Sequence, residues 1–234
     1  MPFLTATWSH LLNVTFPVPP EVLLPHVPPG VELDVQNGHA FASVVAFDFL
    51  NTKVKGLKIP FHVNFPEINL RYYIKHNGRR GVMFWKELVP RYCIALVARR
   101  LYNEPYEAVP MVSSIQSDNG THTLTHTFSC GGKEHNIIAR FSDHRSLPPS
   151  DSVEYYFKEH DLGVGITRAG KPLQYEVKHP EWEIFNLEDY QLDVDFGVVY
   201  GKEWAFLAET VPHCALLAVG SAIEVFPPEP LPVK

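Results

Sequence analysis

The sequence has few cysteines, no long hydrophobic run and no cluster of basic residues, and each absence disfavours a class of protein. Three cysteines in 234 residues are an odd number without the spacing of a metal site, which favours a reducing cytoplasm. No apolar run reaches the roughly 18 residues that a membrane-spanning helix needs. A formal net charge of −6 without a Lys/Arg cluster disfavours a nucleic-acid partner.

Familiar targeting and catalytic motifs are also missing. The first residues, MPFLTATWSHLL, have neither the basic start nor the cleavage site of a signal peptide, so we expect a cytoplasmic protein. There is no nucleophile elbow, phosphate-binding loop or His-Glu-x-x-His zinc helix. His122 and His126 share one face of a predicted strand, but at ~3.3 Å per residue they lie ~13 Å apart, too far to share an ion. We therefore predict no metal and no cofactor.

What the sequence contains points to a globular β protein. Hydrophobic residues make up 45% and charged residues 20%, enough for a sizeable core. The 21 prolines are scattered along the chain, as expected of many short strands and turns. No internal repeat or linker interrupts the chain. The sequence predicts one domain over residues 1–234, mainly β with a few short helices.

The segment 59–74, IPFHVNFPEINLRYYI, alternates apolar and polar residues as a half-buried strand does. Its phase changes at Pro66, which indicates a β-bulge, so we predict one long bent strand. After the proline, one face carries the hydrogen-bonding side chains Glu67, Asn69, Arg71 and Tyr73. Either this row is the solvated side of an antiparallel sheet, or it lines the interior of a closed barrel.

Residues 90–102, PRYCIALVARRLY, give the clearest predicted helix, because they begin with proline and contain alanines. Arg99 and Arg100 in the last turn suit the negative end of the helix dipole. Cys93 lies within the apolar stretch, so we predict an inert, buried thiol there rather than a nucleophile.

Several motifs together resemble the DUF2071 family, over roughly residues 8–226. They are FPEINLRYYI, then Gly81-Val82-x-Phe84, then Arg99-Arg100-x-Tyr102-x-x-Pro105-Tyr106, and finally Val177-x-His179-Pro180-x-Trp182. That family is similar in fold to acetoacetate decarboxylase. The resemblance implies a closed, cone-like, mostly antiparallel β-barrel with its ligand cavity inside. Related barrels associate into homo-oligomers, which the apolar face of the long strand permits here.

The resemblance also implies a departure from the chemistry of the decarboxylase. Glu67 matches a glutamate that lines the decarboxylase active site, but Tyr106 and Glu107 replace the two lysines of its Pro-Lys-Lys motif. The first of those lysines forms a Schiff base with the keto acid, so imine chemistry is not expected here. The nearest lysines, Lys75 and Lys86, are predicted to face solvent.

The predicted cavity brings together residues with two roles. Glu67, and beside it Tyr106, are the candidate catalytic residues, since a buried carboxyl with a raised pKa can donate or accept a proton. The candidate ligand-binding residues are Asn69, Arg71, Tyr73, Arg100 and Tyr102. An arginine there can hold a carboxylate with two hydrogen bonds. Alternatively, Arg71 or Arg100 neutralises Glu67 in a purely structural network.

Two functions remain open from the sequence. One is an enzyme that acts on a small organic acid or carbonyl metabolite through Glu67, without an imine. The other is a binding protein for such a metabolite, with no turnover. Neither function involves a nucleic acid or a membrane.

Overall fold

The structure is a computed structural model that describes residues 1–101 and 103–232, except the side chains of residues 97–101. Strands make up 56% of the chain and helices 14%. The strands are β1 Leu4–Val18, β2 Glu32–Leu33, β3 Ala40–Val54, β4 Phe65–His76, β5 Arg79–Val89, β6 Tyr106–Ala108, β7 Met111–Asp118, β8 Thr121–Cys130, β9 Lys133–Ser146, β10 Leu162–Ile166, β11 Pro172–Lys178, β12 Ile184–Asp193, β13 Cys214–Ala218, β14 Ala222–Val225 and β15 Glu229–Pro230. The α-helices are α1 Pro20–Leu23, α2 Tyr92–Leu101, α3 Val153–Lys158 and α4 Phe196–Tyr200, and the 3-10 helices are Leu24–His26 and Lys202–Glu209.

Seven of the strands close into a barrel, which confirms the predicted fold class. Around the barrel their order is β1, β14, β11, β10, β5, β4 and β3, and β3 pairs with β1 to close the ring. Neighbours are antiparallel except β10 and β5, which are parallel. The short strands β2, β6 and β15 add to β4, β5 and β11.

A second sheet continues from the far half of β1, in the order β13, β12, β9, β8 and β7. Its inner face packs on the outside of the barrel, where it meets Ile68, Leu70 and Ile74 of β4 in one apolar core. Trp204 of the second 3-10 helix is fully buried in the same core. The apolar face of β4 is therefore covered from within the chain.

The strand predicted from Ile59 begins only at Phe65, so the prediction of one long bent strand was wrong. Residues 55–64 form the connection from β3 instead, and Phe61 there has the left-handed φ of 66°. Pro60 cannot donate to a ladder, and this backbone conformation does not fit a pleated strand. The bulge lies further along, where the pairing of β4 with β5 shifts register between Leu70 and Arg71.

Other local predictions agree with the structure. Asn77 and Gly78 both have positive φ and form the tight turn between β4 and β5, as an Asn-Gly pair in a hairpin does. Helix α2 covers most of the predicted segment 90–102. Cys93, however, is exposed in the first turn of α2, so the prediction of a buried thiol was wrong. No helix among the described residues is long and apolar enough to span a membrane.

Candidate active site in the barrel interior

The barrel encloses a cavity of about 430 Å³. Its rim includes Ile59 from the 55–64 connection and Cys93 and Ile94 from α2. At the opposite end, helix α3 covers the barrel, and Phe157 packs there against the rings of Phe41 and Tyr73. The cavity therefore opens on the side of α2 and is sealed under α3.

The register of β3 and β4 places the polar row of β4 in this cavity. Phe49 pairs with Phe65 near the rim, and successive pairs along the two strands lead towards α3. Because alternate side chains of a strand share one face, Glu67, Asn69 and Arg71 follow Phe65 into the interior, and all three line the cavity. The polar row faces an enclosed space rather than bulk solvent.

Glu67 is almost completely buried, with only 3% of its surface exposed. The amide of Asn69 donates a hydrogen bond to Oε1 at 3.2 Å, and the hydroxyl of Tyr106 donates one to Oε2 at 3.1 Å. Burial raises the pKa of Glu67 to about 7, although both hydrogen bonds act to lower it. Two predicted catalytic residues are thus in direct contact.

Two further glutamates, which the sequence analysis missed, line the same cavity. Glu87 and Glu104 are 2% and 5% exposed. Burial, with some repulsion from Glu67, raises the pKa of Glu104 to about 8. Burial and repulsion from both neighbours raise the pKa of Glu87 well above its usual value. Carboxyl groups in one poorly solvated space oppose one another's ionisation, so the three lose their protons one after another.

A bulge explains why strand alternation in the sequence does not predict Glu87 in the cavity. The pairing of β5 with β4 skips Trp85, since Phe84 pairs with Arg71 and Lys86 with Leu70. Strict alternation counted from Phe84 places Glu87 on the outer face, whereas the extra residue returns it to the interior beside Asn69. A register shift at this point is not visible in the sequence.

Tyr175 of β11 donates a hydrogen bond to Glu104. The position of the Tyr175 ring depends on a glycine. Gly163 of β10 pairs directly with Tyr175, and a Cβ added at Gly163 would lie 2.3 Å from the ring carbon Cζ. The ring can cross the strand there only because residue 163 has no side chain.

Arg71 lines the cavity without pairing with Glu67 in any of the described ion pairs. Its Nη2 donates to the carbonyl oxygen of Phe157 at 3.2 Å, and its buried Nε has no partner among the described residues. The predicted structural pair of Arg71 with Glu67 is therefore not formed. The side chain of Arg100 and the whole of Tyr102 lie outside the described residues.

Tyr73, the fourth residue of the predicted row, is not part of the cavity lining. Its hydroxyl is hydrogen-bonded to Ser43 and donates to the carbonyl oxygen of Phe157. Thr15 and Asn13 extend this buried network, and Asn13 donates to the same carbonyl at 3.2 Å. The structure thus places Tyr73 beneath α3, in the seal of the barrel.

None of the described residues that line the cavity is a lysine. Lys75 forms an ion pair with Asp34 at 2.6 Å, and Lys86 forms one with Glu107 at 2.7 Å. Lys86 also donates to the carbonyl oxygen of Val199. The two lysines nearest to the site in sequence are therefore bound to partners outside the cavity, where they cannot form an imine with a ligand inside it.

Six buried polar atoms of residues that line the cavity have no hydrogen-bond partner among the described residues. They are Nε1 of Trp8, Oγ1 of Thr52, Oδ1 of Asn69, Nε of Arg71, Oε2 of Glu87 and Oε1 of Glu104. Buried polar atoms are usually satisfied by protein or by ordered solvent, and an orphan atom calls for a specific explanation. Donors and acceptors that converge on one space are what a bound polar group would use.

Comparison with known proteins agrees with the architecture. The model of the DUF2071 family, described as an uncharacterized conserved protein, matches residues 5–222. The uncharacterized protein YqjF of Bacillus subtilis (strain 168) is 34% identical over 187 residues, which cover 78% of this chain and 75% of YqjF.

Solved structures resemble the chain in fold at low sequence identity. The enduracididine biosynthesis enzyme MppR in complex with pyruvate has a TM-score of 0.70 at 13% identity, over 100% of this chain and 92% of MppR. An acetoacetate decarboxylase-like enzyme from Sphingomonas wittichii RW1 gives 0.67 at 12% identity, over 100% and 95%. Acetoacetate decarboxylase from Legionella pneumophila gives 0.65 at 9% identity, over 99% and 88%. The chain is thus a member of the DUF2071 family with an acetoacetate decarboxylase-like fold.

Proposed function

We propose that this protein is an enzyme that transfers protons on a carbonyl compound held in the barrel cavity, with Glu67 as general acid and base. One observation carries the proposal: Glu67 is buried in the lining of an enclosed cavity and held by two hydrogen-bond donors. Its raised pKa, about 7, lies where a group exchanges protons most readily under physiological conditions.

The reaction class that suits this arrangement is proton abstraction from the carbon next to a carbonyl group. The carboxylate of Glu67 accepts that proton, and the electrons of the broken C–H bond move to the carbonyl oxygen, which becomes an enolate. A protonated carboxyl of Glu87 or Glu104 donates a hydrogen bond to the enolate oxygen. Return of the proton from Glu67 to carbon re-forms the C–H bond and the carbonyl group. Where the next carbon carries a leaving group, the enolate electrons instead form a C=C bond and expel that group, which takes the proton.

The three glutamates support both roles at once. Because ionised Glu67 raises the pKa of both Glu87 and Glu104, one carboxylate and protonated carboxyls coexist near neutral pH. Asn69 and Tyr106 stabilise the ionised form of Glu67, which favours this residue as the base. Unequal environments for neighbouring carboxyls are the usual way for one site to provide an acid and a base.

Deuterium exchange at carbon tests the proposal without knowledge of the full reaction. The protein is incubated in D₂O with methyl ketones and 2-oxo acids, and proton NMR measures loss of the signal next to the carbonyl. We expect the wild type to accelerate exchange of compounds that bind, and Glu67→Gln to abolish the acceleration while binding remains.

A matched control is Glu107→Gln, because Glu107 is adjacent in sequence to Tyr106 but pairs with Lys86 outside the cavity. This variant is expected to exchange protons at the wild-type rate. Compounds that bind the wild type without any accelerated exchange would contradict the enzyme and favour the alternative function, a binding protein without turnover.

Several other properties remain predictions of the sequence. These are a cytoplasmic location, association into homo-oligomers, and the lack of a nucleic-acid or membrane partner. Light scattering on the purified protein measures the number of subunits directly.

A further inference from the structure

The lining of the cavity is polar along β4 and β5 in the interior, and mostly apolar along β3 and at the rim. Near the rim, Leu4, Phe49 and Val54 come together, because Leu4 pairs with Val54 and Phe49 with Phe65. Further along β4 lie Glu67, Asn69 and Arg71, and Glu87 of β5 pairs with Asn69. A ligand that satisfies both zones has a polar group inside and an apolar group towards the opening.

The volume of the cavity indicates how large an apolar group it can hold. At the roughly 30 Å³ that a water molecule occupies in the liquid, about 430 Å³ has room for about 14 non-hydrogen atoms. Acetoacetate or pyruvate would fill about half of that space. The remainder would be water against aromatic walls, which is unfavourable because apolar surface prefers to be out of water.

The rim itself continues the apolar surface outwards. Leu57 is 71% and Phe61 85% exposed in the connection between β3 and β4, and Tyr92 of α2 is also exposed. Leu57 pairs with Val54, and Phe61 and Tyr92 are next in sequence to His62 and Cys93, so all three adjoin residues that line the cavity. Exposed apolar side chains beside a pocket are typical of a surface that meets an apolar ligand.

We propose that the ligand of this cavity is an amphiphile: a carbonyl head group beside Glu67, with an unbranched or aromatic hydrocarbon tail that reaches the rim. The inference deepens the proposed function, since it places the reacting carbonyl at the same glutamate. In this proposal, Phe47 and Phe49 of β3 and the residues of the rim select the substrate by contacting its tail.

A series of methyl ketones from 2-butanone to 2-decanone tests this inference by isothermal titration calorimetry. Each buried methylene group is expected to tighten binding about fourfold, until the tail fills the cavity and the gain stops. Equal affinity along the series, or no binding by any member, would overturn the inference.

Variants that narrow the cavity provide a second readout. Val45 lines the interior and pairs with Asn69, so Val45→Phe removes room without changing a polar group. We expect the longest ketone that still gains affinity to become shorter. If this variant does not fold, Val54→Phe near the rim serves instead, and Val112→Phe on the exposed face of β7 is the control. An unchanged chain-length profile in the folded cavity variant would contradict the inference.

The two proposals fail in different ways. Chain-length-dependent binding without deuterium exchange refutes the enzyme and keeps the amphiphile. Deuterium exchange that proceeds equally well with 2-butanone and 2-octanone keeps the enzyme and refutes the amphiphile.

Discussion

Two groups of buried polar side chains lie on the same face of β4, and they differ in how their hydrogen bonds are satisfied. Around Tyr73 the hydroxyls of Ser43 and Thr15 and the carbonyl oxygen of Phe157 form a closed network. From Glu67 to Arg71, orphan donors and acceptors surround a cavity. Buried polar groups that are fully paired hold an architecture together, whereas incompletely paired groups mark a place for a ligand.

The difference also shows why residue type alone does not separate structure from function. Tyr73 and Arg71 belong to one row in the sequence and are two residues apart. What separates them is helix α3, which covers the end of the barrel and turns Tyr73 into part of the seal. The two regions therefore respond differently to substitution.

The largest expected effect comes from the seal. Phe157 is 1% exposed and packs on Phe41 and Tyr73, so Phe157→Ala leaves a cavity under α3. We expect the free energy of unfolding to fall by about 3–5 kcal/mol, measured by urea denaturation. Phe61→Ala at the exposed rim is the control, with a change below about 0.5 kcal/mol. Equal losses in the two variants would mean that α3 does not seal the barrel.

The second effect is the pH dependence of stability, which comes from the buried carboxyls of the cavity and not from the seal. Glu104 has a pKa of about 8 in the folded protein, against 4.5 when exposed, so the folded state keeps a proton that the unfolded state has lost. Stability therefore falls as pH rises through this interval, by about 2 kcal/mol between pH 6.5 and 8 for Glu104 alone. Below pH 6.5 the buried His126, with a pKa of about 4, acts in the opposite direction, because the unfolded state then binds the extra proton.

The measurement is urea denaturation of wild type and Glu104→Gln at several pH values above 6.5. The variant is expected to lose part of the pH dependence, since glutamine does not titrate, whereas Glu67 and Glu87 retain the rest. Glu107→Gln, at an exposed carboxyl, should retain the wild-type slope. A wild-type stability that rises from pH 6.5 to 8 would contradict the burial of protonated carboxyls in the cavity.

Two tyrosine variants are expected to have smaller effects, one on stability and the other on the pH dependence of deuterium exchange. Tyr73→Phe removes hydrogen bonds of the seal and is expected to cost about 1 kcal/mol of stability without changing deuterium exchange. Tyr106→Phe removes a donor to Glu67, which raises the pKa of Glu67 further. The pH profile of exchange should shift upwards for Tyr106→Phe alone. A shift in both variants would erase the distinction between the two regions.

The smallest effect on stability is expected at Cys93. This residue is exposed at the rim, whereas Cys130 is buried, so iodoacetamide should label Cys93 first in the folded protein. Cys93→Ser should change the free energy of unfolding by less than about 0.5 kcal/mol. A ketone whose tail reaches the rim should slow the labelling of Cys93, followed by peptide mass spectrometry. Free N-acetylcysteine in the same solution reports any general effect of the ketone on the reagent.

The sequence predicted those features that depend on local patterns. The alternation after Pro66 gave the two faces of β4, and Asn77-Gly78 gave the turn into β5. The residues 59–64 show the limit of such patterns, because an alternating segment with Pro60 and a left-handed Phe61 forms a connection instead. Alternation shows which side chains would share a face of a strand, but it does not show whether a neighbouring strand is available for backbone pairing.

The candidate site was predictable only where no bulge intervened. Glu67, Asn69 and Arg71 follow a regular strand, but Glu87 enters the cavity through the register shift at Trp85. Cys93 is exposed because the packing partner of α2 decides which face of the helix is buried. The sequence of α2 alone does not reveal that partner. Non-local packing thus accounts for each of these differences.

Strand β1 belongs to both parts of the structure. It pairs with β3 along nearly all of its length, with β14 through its first half and with β13 through its second half, and the change of partner coincides with the irregular backbone at His10. Detaching either part would break the ladder of the other, so we expect barrel and outer sheet to melt in one cooperative transition.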